Sequence, residues 1–159
     1  MFVDNGDNTF TVRFFHNGCP DYVTVDRYLP TQNGRLVYDG VGAPANNPKN
    51  VLWVALAEKA YAQLNESGWL ERPNWTNGLN SYDAIEGGFM SKPEAQLTGI
   101  PSVDLPVNYT NIFYSYTHGG LVVLGSKSSG VDCRIAQSHA YAVVGYSPIN
   151  GTVTLFNPW

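Results

Sequence analysis

A chain of 159 residues corresponds to roughly one domain, and 43% hydrophobic, 13% aromatic and only 14% charged residues describe an ordered globular body, not a disordered segment. The formal net charge of −4 gives no basic footprint for nucleic acid. No run approaches the roughly 18 apolar residues of a membrane span, so neither nucleic acid nor membrane is expected as a partner.

The opening residues, Met1 to Asn8, lack the basic and apolar stretches of a signal peptide. Residues 9 to 17 read as a strand, and residues 21 to 28 as a second with clean period two. Gly18-Cys19-Pro20 is the expected tight connection between them. Asn33-Gly34 predicts a hairpin turn into Arg35-Leu36-Val37-Tyr38, completing a three-stranded antiparallel meander. A loop rich in Pro, Asn and Gly follows from Gly40 to Asn50. Residues 50 to 64 are the clearest helix, with Asn50 as a candidate cap and Leu52, Leu56, Ala60 and Leu64 every four residues. Residues 66 to 80 are irregular. Short helical pieces are expected at Tyr82 to Ile85 and Lys92 to Leu97, split by Gly87-Gly88. A further helix spans residues 108 to 117 and ends at Gly119-Gly120. Leu121 to Gly125 is a strand, residues 126 to 138 a polar loop, and His139 to Trp159 a hairpin turning at Asn150-Gly151. Strands, then helices, then strands favour an α+β fold over a parallel α/β layout.

Chemistry concentrates in that last hairpin. It opens on His139 and closes on Asn157, so antiparallel pairing brings the two together, about 5 Å apart at the backbone if directly paired. A histidine oriented by an asparagine is two-thirds of a Cys-His-Asn hydrolase site. An asparagine suffices where the nucleophile rests as thiolate beside imidazolium. A His and an Asn at hairpin ends could equally satisfy each other with no chemistry attached. His16, near a strand end, and His118, before a Gly-Gly pair, read as surface residues. The cysteines, Cys19 and Cys133, build no disulfide framework and fix no compartment. Asn-x-Ser/Thr sequons occur at Asn65, Asn74, Asn108 and Asn150, a motif short enough to arise by chance.

Several stretches together carry a resemblance. They are Asp21 to Tyr38, Leu52-Trp53-Val54-Ala55-Leu56-Ala57-Glu58-Lys59-Ala60-Tyr61-Ala62, Ile85 to Gly99, His139-Ala140-Tyr141-Ala142-Val143 and Asn157-Pro158-Trp159. In this order the chain resembles the second lobe of the papain-like core of the calpain family of cysteine peptidases. The resemblance implies an antiparallel sheet or partial barrel with one main helix. It also implies peptide-bond hydrolysis of a polypeptide substrate through a cysteine thiolate and an acyl-enzyme. His139 would be the base, Asn157 the residue orienting it and Trp159 the indole shielding both. Gly87 and Gly88 match a glycine pair along the family's substrate groove, and a glycine pair does let a peptide backbone approach closely. A plain interhelical turn is the other reading of the pair. Ser138 stands where many members carry glycine, at a further substrate contact.

The pattern also breaks. In the family the nucleophile lies upstream, in a Gly-x-Cys-Trp motif at a helix N-terminus of the first lobe, and this chain begins after that point. Neither Cys19, in a turn followed by Pro20, nor Cys133, in a loop six residues before His139, matches it. The expectation is a single domain over residues 1–159 that supplies His and Asn, is inactive alone, and needs a missing lobe bearing the cysteine. No cofactor is expected in this chain, although calcium remains open for a full-length protein. The alternatives are a non-catalytic calpain-like module that binds peptides and a transglutaminase-like enzyme, which would prefer Asp at position 157.

Overall fold

The computed structural model describes residues 2–38, 47, 51–72 and 75–157. They form antiparallel sheets with a few helices, an α+β fold with no closed barrel among the described residues. Two compact units divide the chain, Met1–Ser102 and Val103–Trp159.

The first unit is built on strands β1 (Phe2–Asp4), β2 (Thr9–His16) and β3 (Cys19–Asp26), antiparallel and in that order. Asn17 and Gly18 take φ of 50° and 79°, the two positive values that a two-residue hairpin turn requires, and His16 faces Cys19 across it. The connection is therefore Asn17-Gly18. Cys19 and Pro20 belong to β3, an edge strand of this sheet, where the missing proline N–H is tolerated. The expected meander is also corrected. Asn33 and Gly34, with φ of 53° and 74°, do make a turn, but it joins only a short separate ribbon, β4 (Thr31–Gln32) and β5 (Arg35–Leu36). The third place in the sheet goes to β1. Its return loop is tied by Asp carboxylates, with the Gly6 N–H donating to Asp4 Oδ1 at 2.9 Å and the Thr9 N–H to Asp7 Oδ1 at 3.0 Å.

Alternation puts Val12 and Phe14 of β2, and Val23 and Val25 of β3, on one buried face. Helix α1 (Leu52–Leu64) lays Leu56, Ala60 and Leu64 on it, and Phe14 and Leu56 are wholly buried. The capping residue is Val51, whose side chain makes no cap bond; Asn50 lies outside the described residues. Lys59 fastens the helix to the end of β3, donating to Asp26 Oδ1 at 2.6 Å and to the Tyr28 carbonyl at 2.7 Å. That hydrogen bond holds the Asp26 carboxyl below its ordinary range. Helices α2 (Tyr82–Ile85) and α3 (Ser91–Thr98) follow where the sequence predicts them.

Tyr61 on α1 donates to Gln96 Oε1 on α3 at 2.5 Å, and burial pushes its phenol up to about 12. A phenol whose folded value is raised stabilises the fold fully below its unfolded value, about pH 10, and loses that contribution as pH climbs through 12. Tyr61→Phe is expected to cost about 1 kcal/mol at pH 7 by stranding Gln96. It should also abolish an alkaline loss of about 2 kcal/mol between pH 10 and 12. Urea denaturation of both proteins at pH 8 and pH 11.5 reads the difference.

The second unit packs helix α4 (Tyr109–Thr117) on a sheet of β6 (Val123–Gly125), β7 (Ala140–Ser147) and β8 (Thr152–Phe156), antiparallel and in that order. Asn108 caps α4 by accepting the Asn111 N–H at 2.8 Å. Tyr109 and Phe113 meet the Tyr146 ring at 5.2 and 4.9 Å. Tyr141 and Val143 are the buried residues of β7.

Candidate active site

The ends of β7 and β8 converge on one hydrogen bond. His139 Nε2 lies 2.9 Å from Asn157 Oδ1. An amide oxygen can only accept, so Nε2 is the nitrogen that carries a proton in this bond. The histidine's backbone is gripped from the start of the polar loop. Its N–H donates to Ser126 Oγ at 2.9 Å, and its carbonyl accepts the Ser126 N–H at 2.8 Å. The Ser126 hydroxyl in turn donates a hydrogen bond to the Ala136 carbonyl at 2.6 Å. Tyr141 completes the frame. Its hydroxyl accepts the Ala136 N–H at 2.7 Å, and its ring meets the His139 imidazole edge-on, 4.9 Å between centroids at 87°. A half-buried ring pinned at its backbone, its edge and one nitrogen has its orientation set before any ligand arrives.

Pairing is not as the turn signal predicts. A two-residue Asn150-Gly151 turn would place Asn157 opposite Val144, five positions from His139. Ser147 instead pairs with Thr152 across a four-residue loop, 148–151. The register then shifts between Val143 and Gly145, leaving Val144 as an extra residue in β7. Together the longer loop and the bulge bring Asn157 opposite Tyr141. The second shift matters most, because a one-residue change of register exchanges the faces of a strand. Without the bulge Asn157 would face Ala142, on the side away from His139. With it, His139 is the next same-face neighbour of Tyr141, within diagonal reach of a long side chain. The bulge is anchored: Tyr116 on α4 donates to the Val144 carbonyl at 3.0 Å.

Ser138 stands directly before the histidine at φ 48°, a left-handed conformation that glycine adopts more readily, and its N–H is engaged by the Lys127 carbonyl at 3.0 Å. Gly87 and Gly88 belong to the first unit and have φ of 65° and 118°. They follow α2 and are both exposed. Trp159 lies outside the described residues. Both cysteines are free and exposed. Cys19 begins β3, and Cys133 lies in the polar loop, its thiol 3.8 Å from Asp132 Oδ1. Neither cysteine is on a helix. The Asp132 carboxyl is held below its ordinary range chiefly by a hydrogen bond from Arg134.

Ser126, Tyr141 and the bulge at Val144 are the parts that sequence reasoning missed. The bulge left no signal: beyond exposed Val144, Gly145, Tyr146 and Ser147 are all half-buried, with no alternation to mark a change of register.

The family described as calpain family cysteine protease matches residues 2–159. Among curated proteins, the chain is 27% identical over 177 residues to the calpain-type cysteine protease DEK1 of Zea mays, covering 98% of this chain and 7% of that protein. It is 29% identical over 176 residues to calpain-8 of Homo sapiens, covering 99% and 22%, respectively. Against calpain clp-1 of Caenorhabditis elegans it is 26% identical over 176 residues, covering 99% and 20%. The chain thus spans less than a quarter of the length of these relatives.

Proposed function

Because the chain belongs to the calpain family of cysteine proteases, we propose that it supplies the base and its orienting partner, His139 and Asn157, to a Cys-His-Asn site that hydrolyses peptide bonds. The nucleophilic cysteine is contributed by a lobe outside these residues, and the 159-residue chain is silent by itself. The observation that carries this reading is the 2.9 Å bond from His139 Nε2 to Asn157 Oδ1. It leaves Nδ1 as the nitrogen that exchanges a proton with a thiol.

In this scheme the imidazole removes the thiol proton, giving a thiolate–imidazolium pair. The thiolate adds to the scissile carbonyl, and the imidazolium returns its proton to the departing amine. Water, deprotonated by the same nitrogen, then releases the acyl group and restores the thiolate. Asn157 holds the ring in one tautomer throughout. Gly87, Gly88 and Ser138 contribute contacts to the polypeptide substrate, and Trp159 shields the His–Asn bond from water.

The isolated chain is expected to give no turnover of a fluorogenic peptide. Joined to a papain-like first lobe carrying Gly-x-Cys-Trp, it should gain turnover that depends on His139. Turnover by the isolated chain that disappears on Cys19→Ala or Cys133→Ala would overturn the proposal. Peptide binding without turnover in the joined protein would point to a non-catalytic module instead.

A further inference from the structure

One arginine outside the His–Asn pair organises the glycine segment, and no sequence motif marks it. Arg72 donates from Nε to the Ala84 carbonyl at 3.0 Å, from one terminal nitrogen to the Gly87 carbonyl at 2.9 Å, and from the other to the Glu86 carbonyl at 2.8 Å. Three carbonyls of a four-residue stretch therefore turn toward a single guanidinium. Those of Ala84 and Glu86 belong to the C-terminal end of α2, where unsatisfied carbonyls favour a cation.

The cation also explains the second glycine. A Cβ on Gly88 would lie 2.6 Å from an Arg72 terminal nitrogen, and its φ of 118° is one that side-chain-bearing residues rarely adopt. Glycine is favoured at 88 by that backbone conformation, and any larger residue would also have to displace the guanidinium. With the carbonyls before it drawn inward, the exposed Gly88 N–H and C=O make no hydrogen bond among the described residues. Beside them Phe89 is 75% exposed. An open amide and carbonyl next to an apolar ring form a short backbone edge that an extended peptide can pair with.

We propose that Arg72 is a positioning residue for substrate: its guanidinium fixes the Gly87-Gly88 bend so that Gly88 offers its backbone to an extended polypeptide, with Phe89 contacting an apolar side chain of that peptide. This rests on the reading of the chain as part of a peptide-hydrolysing enzyme. The role needs the planar fork of arginine, since an ammonium is a point donor that cannot span three carbonyls in one plane.

The test has two arms. In the joined, active protein, Arg72→Gln should raise KM for a peptide about tenfold and leave kcat within about threefold, as expected when uniform binding is lost. The pH profile set by His139 should not move. Arg72→Lys should behave like Arg72→Gln, and millimolar guanidinium ion should partly restore the glutamine variant. In the isolated chain, titration with an uncleaved extended peptide should shift the Gly88 and Phe89 amide resonances of wild type but not of Arg72→Gln. Gly88→Ala, which presses a Cβ against the guanidinium, should reproduce the loss with Arg72 intact. An unchanged KM together with unchanged peptide-induced shifts in Arg72→Gln would overturn the inference. So would an equal fall in kcat and kcat/KM, or full rescue by lysine. Activity indifferent to His139→Ala would instead sink the catalytic reading, and the isolated-chain titration would still decide on Arg72.

Discussion

His139→Ala, in the chain joined to a lobe bearing the nucleophilic cysteine, is expected to lower kcat/KM by about 10³-fold or more, the scale of losing a positioned base that also acts as the acid. Asn157→Ala should cost less, about 10- to 100-fold, the equivalent of one charge-assisted hydrogen bond of roughly 1.5–3 kcal/mol. The two losses should also fail to add. Once the imidazole is gone, Asn157 has no ring to orient, so the double variant should match His139→Ala within error. Steady-state kinetics on the four proteins tests all three statements. Additive losses would mean that Asn157 acts on something other than His139.

The largest effect on stability is expected at a residue with no part in the chemistry. Asn65, immediately after α1, is fully buried, and its Nδ2 donates to the Thr76 carbonyl at 2.6 Å and the Leu79 carbonyl at 3.0 Å. It pins the irregular segment before α2 to the end of the main helix. Asn65→Ala strands both carbonyls and should cost about 2–3 kcal/mol. Asn65→Asp, nearly the same shape, should cost more, about 3–5 kcal/mol at pH 7, because it sets an unpaired buried carboxylate against two acceptors. The sign of its pH dependence follows. The folded state raises the carboxyl's value, so the neutral, donating form supports the fold below the unfolded value of about 4, and that support vanishes as pH rises. Denaturant titrations at pH 4 and pH 7 should therefore show aspartate closing on alanine in acid and falling behind it at neutrality. Equal costs at both pH values would refute the assignment. Asn65 also begins a sequon, Asn65-Glu66-Ser67, but a side chain with no exposed surface is no glycan acceptor in the folded chain.

What could be read from the sequence was whatever depends on local period and on turn chemistry between near neighbours. The four-residue spacing of Leu52, Leu56, Ala60 and Leu64 gave α1 to within two residues. Asn33-Gly34 gave its turn because both residues do take positive φ. At Asn150-Gly151 the same dipeptide misleads: Gly151 has φ 62°, but Asn150 is not among the positive-φ residues, and the loop takes up Pro148 and Ile149. The turn was legible, its length was not, and register depends on length. His139 and Asn157 were found as a pair, for a reason only half right, since their meeting also needs Val144 out of step. Ser126 and Arg72 stayed hidden because each acts on backbone carbonyls or amides at least ten residues away, and backbone groups look alike in any sequence.

Val144 makes the ribbon longer by one residue than its pairing demands, and that surplus is slack. Loss of one residue between Ala140 and Val144 could be absorbed by straightening the strand, since either Val143 or Val144 can serve as the inward valine. The imidazole and the carboxamide would still arrive side by side. Alignment at the open end of this hairpin is thus buffered against small changes in strand length, whereas gain of a residue, with no such reserve to draw on, would pull the two apart.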